Sequence, residues 1–205
     1  MRLAFTFVVL SLVAAFGVSS CNSSDERRAE QIPARSATPA RGTAPQRAPA
    51  PAALMTLPAS INDAELKAVS GAPIKLSNYA GKVLVVNLWA TWCGPCRLEI
   101  PELVKLHKEF RSEGLEIVGL STEEPEHSAE KVRNFVQDFE VSYRVGWATN
   151  EVALGLMQGR DSIPQSYVIS RDGHVLKRFI GFNPVTTPPQ IKEAIQEALN
   201  QKAAD

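Results

Sequence analysis

The stretch Val83-Leu84-Val85-Val86-Asn87-Leu88-Trp89-Ala90-Thr91-Trp92-Cys93-Gly94-Pro95-Cys96 sets the architecture of this chain. Val83 to Trp89 is an almost continuous apolar run, which predicts a strand buried on both faces, as in a parallel sheet. From Cys93 the pattern becomes helical, with Leu103, Leu106 and Phe110 on one face to about Ser112, and Gly114 closing the helix. Two cysteines three apart at a helix start share one face of its first turn. Their Cα atoms then sit about 5–6 Å apart, the separation a disulfide needs. The helix N-terminus stabilises a thiolate, so Cys93, at the exposed end, is the expected nucleophile with a lowered pKa. Cys96 is expected deeper, as the resolving thiol with a higher pKa. A redox-cycling Cys93–Cys96 disulfide follows, and it needs no cofactor. Pro95 lacks an N–H and has a fixed φ, which suits the first helical turn. Gly94 leaves room for a partner backbone to approach Cys93. Trp92 is expected to shield the sulfurs and Trp89 to lie in the core.

Working outward, Gly71-Ala72-Pro73 reads as a turn between the extended pieces Leu66–Val69 and Ile74–Leu76. Leu115–Leu120 reads as the next strand. Ser128 to Phe139 is amphipathic, with Val132, Phe135, Val136 and Phe139 at helical spacing and Ser128 as N-cap. A shorter helix is expected over Val152–Met157. Gln165–Ser170 and Val175–Gly181 read as strands joined by Arg171-Asp172-Gly173-His174, where Asp-Gly signals a hairpin. Thr187-Pro188-Pro189-Gln190 predicts a helix start with a capping box, and Ile191, Ile195, Ala198 and Leu199 its buried face. Glu123-Glu124-Pro125-Glu126 reads as a solvated acidic loop. The fold class is α/β: a mixed central sheet with helices on both faces.

The other end of the chain differs in kind. Met1-Arg2 precedes an apolar stretch from Leu3 to Ala15, and Val18-Ser19-Ser20-Cys21 follows. A short apolar segment ending in small residues reads as a secretory signal over residues 1–20. Cys21 directly after the small residues resembles a bacterial lipoprotein box, which implies lipidation of Cys21. An ordinary signal cut nearby, or an uncleaved anchor, is the alternative. With Cys21 lipidated, the chain's three cysteines reduce to the Cys93–Cys96 pair. Residues 21–58 form an Ala/Pro-rich linker, dominated by Ala and Pro from Ser36 to Pro58, and cannot bury enough surface to offset their ordering entropy. They read as a semi-extended tether which, at about 3.1 Å per residue, would span on the order of 100 Å when fully extended. A plain spacer and a docking segment for an aromatic groove are its two readings. Residues 59–205 remain as one domain. The formal net charge is zero, which argues against nucleic acid as a partner.

The string Gly81 to Pro101, with its buried strand and Trp92-Cys93-Gly94-Pro95-Cys96, resembles the thioredoxin superfamily, in the branch of membrane-anchored extracytoplasmic TlpA/ResA-like thiol–disulfide oxidoreductases. The resemblance covers roughly residues 60–200. It extends to Pro101 in the first helix, to Ile163-Pro164 before a strand, and to Gly181 at the end of the last hairpin strand. It implies a cis peptide at Pro164, facing the active site and able to pair with an extended substrate strand; an ordinary trans loop proline is the alternative. Asn87 stands where thioredoxin has a buried aspartate thought to exchange a proton with the second cysteine. Asn87 cannot titrate, so proton transfer falls to water or another carboxylate. Glu99 and Glu102 are the nearest candidates by sequence, with two solvated helix charges as the alternative reading.

The resemblance implies reduction of exported proteins, such as apocytochrome c in cytochrome c biogenesis or copper-site cysteines, and recharging by a membrane thiol carrier. The Gly-Pro middle pair matches thioredoxin, a reductant near about −270 mV, and not strong oxidants near about −120 mV. A disulfide donor is the opposite direction of the same chemistry. A non-enzymatic alternative is a copper-delivery module using both thiolates as soft ligands. A metal site needs two further ligands, and His107, His127 and His174 lack ligand spacing, which reads them as surface histidines with no metal. A peroxidase would need Pro-x-x-x-Thr-x-x-Cys, which this sequence lacks. Asn22 after Cys21 leans the anchor toward the outer membrane.

Overall fold

The computed structural model describes residues 55–201. The signal segment, Cys21, Asn22 and nearly all of the tether lie outside the described residues. The sheet is entered at Met55–Thr56 (β1), upstream of the boundary expected at Ala59, and one helical turn, Ala59–Asn62 (α1), follows. The extended pieces around Gly71 meet as expected, with Leu66 bridged antiparallel to Ile74.

Val83–Trp89 (β2) is buried along its whole length. Its odd residues Val83, Val85 and Trp89 enter one core and its even residues Leu84, Val86 and Leu88 the other. That alternation explains the continuous apolar run: neither face meets water. Gly94–Phe110 (α2) follows, then a 3-10 turn and Gly114, whose φ of +101° is the left-handed conformation that frees the chain to re-enter the sheet. Leu115–Ser121 (β3) pairs in parallel with β2.

Pro125–Asp138 (α3) begins three residues before the expected Ser128 cap. Glu124 holds the N-cap position, Pro125 lies in the first turn, and the Ser128 N–H already bonds the Glu124 carbonyl at 3.0 Å. Proline tolerates the first turn because its missing N–H would have no partner there.

Arg144–Trp147 (β4) pairs in parallel with β3. The four residues carry no strand signal in the sequence, because they hold a glycine and an arginine. Gly146 is required by a close approach: a Cβ there would sit 2.9 Å from the Lys67 carbonyl, where the 66–69 segment pairs antiparallel with the strand. Asn150–Met157 (α4), Gln165–Ile169 (β5), His174–Ile180 (β6) and Thr187–Asn200 (α5) complete the order. Helix α5 starts where predicted but without the capping box. The Thr187 hydroxyl accepts from the Asn183 N–H at 3.0 Å, and no side chain caps the helix.

The strand order is β1-β6-β5-β2-β3-β4. β5 runs antiparallel to both β2 and β6. Helices α2, α3 and α5 cover one face, and α1 and α4 the other. The expected α/β fold with helices on both sides is the one observed. It places Asn87 of β2 and Ser166 of β5, paired across the strands, on the face covered by α2.

Candidate active site

Cys93 occupies the N-cap position of α2 in extended backbone, and its sulfur lies 3.2 Å from the Cys96 N–H. The two cysteines form a disulfide with a Cα–Cα distance of 5.3 Å, within the range expected from their spacing. Cys93 keeps 4% of its surface exposed and Cys96 none, so attack from outside reaches Cys93 first. Gly94 and Pro95 form the exposed first turn. Ile163-Pro164 is a cis peptide, and the Ile163 carbonyl lies 3.7 Å from the Cys93 sulfur. The Pro164 carbonyl accepts from the Gly181 N–H at 2.8 Å, which brings the end of β6 to the same place.

Under α2, in the interior, is a closed polar triangle. Asn87 Nδ2 donates to Glu99 Oε2 at 2.8 Å and to Ser166 Oγ at 3.0 Å. Ser166 Oγ donates to Glu99 Oε1 at 3.0 Å. All three residues are fully buried. Burial pushes the Glu99 carboxyl up to about 7, and the donors from Ser166 and Asn87 act in the opposite sense without cancelling it. Tyr143 is buried near this carboxyl; desolvation raises its phenol far above the ordinary value, and the Glu99 charge raises it further.

The two expected proton-transfer candidates therefore separate. Glu99 is a buried acid one turn beyond Cys96, the i,i+3 spacing that puts two side chains on one helix face. Glu102 is a partly exposed residue paired with Lys105 at 2.8 Å, as a solvated helix charge would be. Asn87 does not titrate but orients Glu99.

Three expectations are corrected. Trp92 is 71% exposed, so most of its ring stands in solvent and is not packed down as a cover. Trp89 is core, as expected. The acidic loop is not simply solvated: Glu123 accepts from the Thr91 N–H at 2.7 Å and the Thr91 hydroxyl at 2.8 Å, two residues before Cys93. Arg97 holds the Thr91 carbonyl at 3.3 Å, its guanidinium stacked over Phe135 and Phe139. Thr91 is thus gripped from both sides. His107 is buried instead of surface-exposed, because it packs edge-on to Tyr143 and its Nδ1 lies 3.1 Å from the Ser142 hydroxyl. Desolvation lowers its pKa. His127 is exposed, and His174 pairs with Asp172 at 3.0 Å. Among the described residues no three His, Cys, Asp or Glu side chains converge on a metal position.

Sequence reasoning missed Ser166, Tyr143 and Glu123. For Ser166 the available signal was its place two residues after Pro164 on a strand. Turning that into a contact requires the register of β5 on β2.

Among curated proteins, the thiol-disulfide oxidoreductase ResA of Bacillus subtilis (strain 168) is 33% identical over 116 residues, covering 57% of this chain and 63% of that protein. ResA of Bacillus anthracis is 31% identical over 113 residues, covering 55% of this chain and 63% of its own length. The chain thus spans less than two thirds of these relatives. A thiol:disulfide interchange protein of the thioredoxin family from Chlorobium tepidum TLS superposes with a TM-score of 0.62 at 29% identity, over 74% of this chain and all of that one. A putative thiol:disulfide interchange protein DsbE from Chlorobium tepidum shares the fold, with a TM-score of 0.63 at 24% identity over 72% of this chain and 97% of that one. The AhpC/TSA family model matches residues 58–178, more than half of the chain, which therefore belongs to the AhpC/TSA family and carries a thioredoxin-like fold.

Proposed function

We propose that this chain is a TlpA/ResA-like thiol–disulfide oxidoreductase that reduces disulfides of exported proteins on the extracytoplasmic side of a membrane. The observation that carries the reading is the Cys93–Cys96 pair at the start of α2 with the buried Glu99 carboxyl behind it. Similarity to the ResA proteins supports it. The lipoprotein-like Cys21 and the tether after it supply the anchor, and the described residues contain no helix long and apolar enough to cross a membrane.

The reduced protein begins the cycle. The Cys93 thiolate attacks one sulfur of the substrate disulfide, forming a Cys93–substrate bond and releasing the other substrate sulfur as a thiolate. Glu99 takes the proton of Cys96. The Cys96 thiolate then attacks the Cys93 sulfur, the internal disulfide forms, and the second substrate sulfur leaves. Glu99 and solvent return the protons to the substrate thiolates. Two electrons pass from the cysteine pair to the substrate, and a membrane thiol donor restores the dithiol. No further cofactor takes part in this route. The Ile163 carbonyl and cis-Pro164 flank Cys93 and offer backbone for an extended substrate strand.

Cys93→Ser is expected to abolish reduction of insulin disulfides, and Cys96→Ser to accumulate a mixed disulfide on Cys93. Unchanged insulin reduction by Cys93→Ser would overturn the reading.

A further inference from the structure

The Asn87–Glu99–Ser166 triangle uses nearly all of its donors. Both amide hydrogens of Asn87 are committed, one to Glu99 and one to Ser166. The single Ser166 hydroxyl hydrogen goes to Glu99 Oε1. Each Glu99 oxygen therefore receives one donor, and the two donors come from different strands. Asn87 belongs to β2, the strand that leads into the cysteine motif. Ser166 belongs to β5, two residues after cis-Pro164. Of the three residues only Glu99 titrates, and the only unpaired polar atom of the group is Asn87 Oδ1.

We propose that Ser166 is a positioning residue, whose hydroxyl holds the Glu99 carboxyl in the orientation and charge state in which it exchanges a proton with Cys96. This rests on the reading of Glu99 as the proton acceptor. Four geometric facts carry it. Ser166 is fully buried, so its hydroxyl is shielded from bulk solvent. It sits between Asn87 and Glu99, accepting from one and donating to the other, so its hydrogen has one direction available. It lies opposite Asn87 in the β2–β5 pairing, a position fixed by five consecutive residue pairs. The strand that carries it follows directly on the cis-proline, whose carbonyl is bonded to Gly181, so the substrate-facing loop and the donor to the acid share one element.

The groups facing Glu99 are few. From β2 there is Asn87, from β5 Ser166 and from the segment before β4 the Tyr143 phenol, while Cys96 lies one turn earlier on the helix of Glu99. None is a cation. The carboxylate is therefore held by two neutral hydrogen bonds alone, and losing either one favours the protonated acid. Ser166→Ala removes the Oε1 donor and also frees one Asn87 hydrogen. Ser166→Thr keeps the hydroxyl.

The test uses the full chain with two readouts. One is the pH profile of mixed-disulfide resolution by Cys96. The other is carbon-13 NMR of the glutamate carboxyls, which follows Glu99 without turnover. In Ser166→Ala both midpoints should rise by about one pH unit, the loss of one hydrogen bond to a charged group, and Ser166→Thr should restore them. A merely structural serine would lower stability and leave the Glu99 titration where it was. Midpoints unmoved in Ser166→Ala, with the pH step removed by Glu99→Gln, would overturn the role of Ser166 and leave Glu99 standing. A pH step that survives Glu99→Gln would overturn both. Should Ser166→Ala fail to fold, the unmodified protein decides: the Ser166 Cβ resonance must titrate with the Glu99 midpoint, and a Cβ that does not titrate overturns the proposal.

Discussion

Two serine–carboxylate pairs lie at opposite ends of the same hairpin. Ser166 donates to Glu99 at the start of β5, and Ser170 donates to Asp172 in the turn that follows it. The hydrogen bonds are of one kind, and both favour the ionised acid. The outcomes are opposite. Asp172 faces solvent, where the Ser170 hydroxyl and then His174 hold its carboxyl below the ordinary value. Glu99 is sealed between β2, β5 and α2, where desolvation outweighs both of its donors and lifts it to about 7. Burial, not hydrogen-bond chemistry, separates a solvated turn carboxylate from an acid able to trade protons near neutral pH.

The largest expected effect breaks this comparison at its buried end. Glu99 binds its proton more tightly folded than unfolded, so its contribution is fully present below the unfolded value near 4.5 and is lost as pH rises through about 7. Stability should fall by about 3 kcal/mol across that window, and Glu99→Gln should flatten the slope in denaturant titrations taken at several pH values. Asp172 has the opposite sign: its contribution is present above the unfolded value and is lost as pH falls. Being exposed, it should change stability by no more than about 0.5 kcal/mol in Asp172→Asn. Equal slopes in the two variants would refute the role given to burial.

A second perturbation sharpens the same contrast at the rim of the site. Glu123 is a loop carboxylate like Asp172, but its partners are the Thr91 N–H and hydroxyl beside the cysteine motif. Glu123→Ala should cost about 1–2 kcal/mol by leaving that amide without its acceptor. It should also slow alkylation of Cys93, and Glu123→Gln, which keeps one acceptor oxygen, should recover part of both. A loss of stability with unchanged alkylation would reduce Glu123 to a loop anchor.

The parts of this molecule that depend on neighbours along the chain were legible in the sequence. The run Val83–Trp89, the helix that begins at the cysteines and the Asp172-Gly173 hairpin stand where the sequence places them, whereas the cis peptide at Pro164 is one that the family resemblance implies. What sequence reading could not supply is how separate segments meet. Glu99 and Glu102 are three residues apart on one helix and looked equivalent; only the placement of α2 against β2 and β5 buries one and leaves the other with Lys105. Ser166 is invisible without the register of an antiparallel pair. β4 was hidden because its glycine serves the close antiparallel approach of the 66–69 segment, and Arg144 serves the Ala72 carbonyl, not the strand pattern. Glu123 looked like surface charge because its partner lies thirty-two positions away.

The account turns on the direction in which the Cys93–Cys96 pair moves electrons, and its reduction potential tests that most directly. Equilibrating the protein in dithiothreitol and glutathione mixtures and trapping the free thiols gives the value. The account predicts a potential at or below about −250 mV, in the range of thioredoxin. A potential near about −120 mV would make the pair a disulfide donor and contradict it.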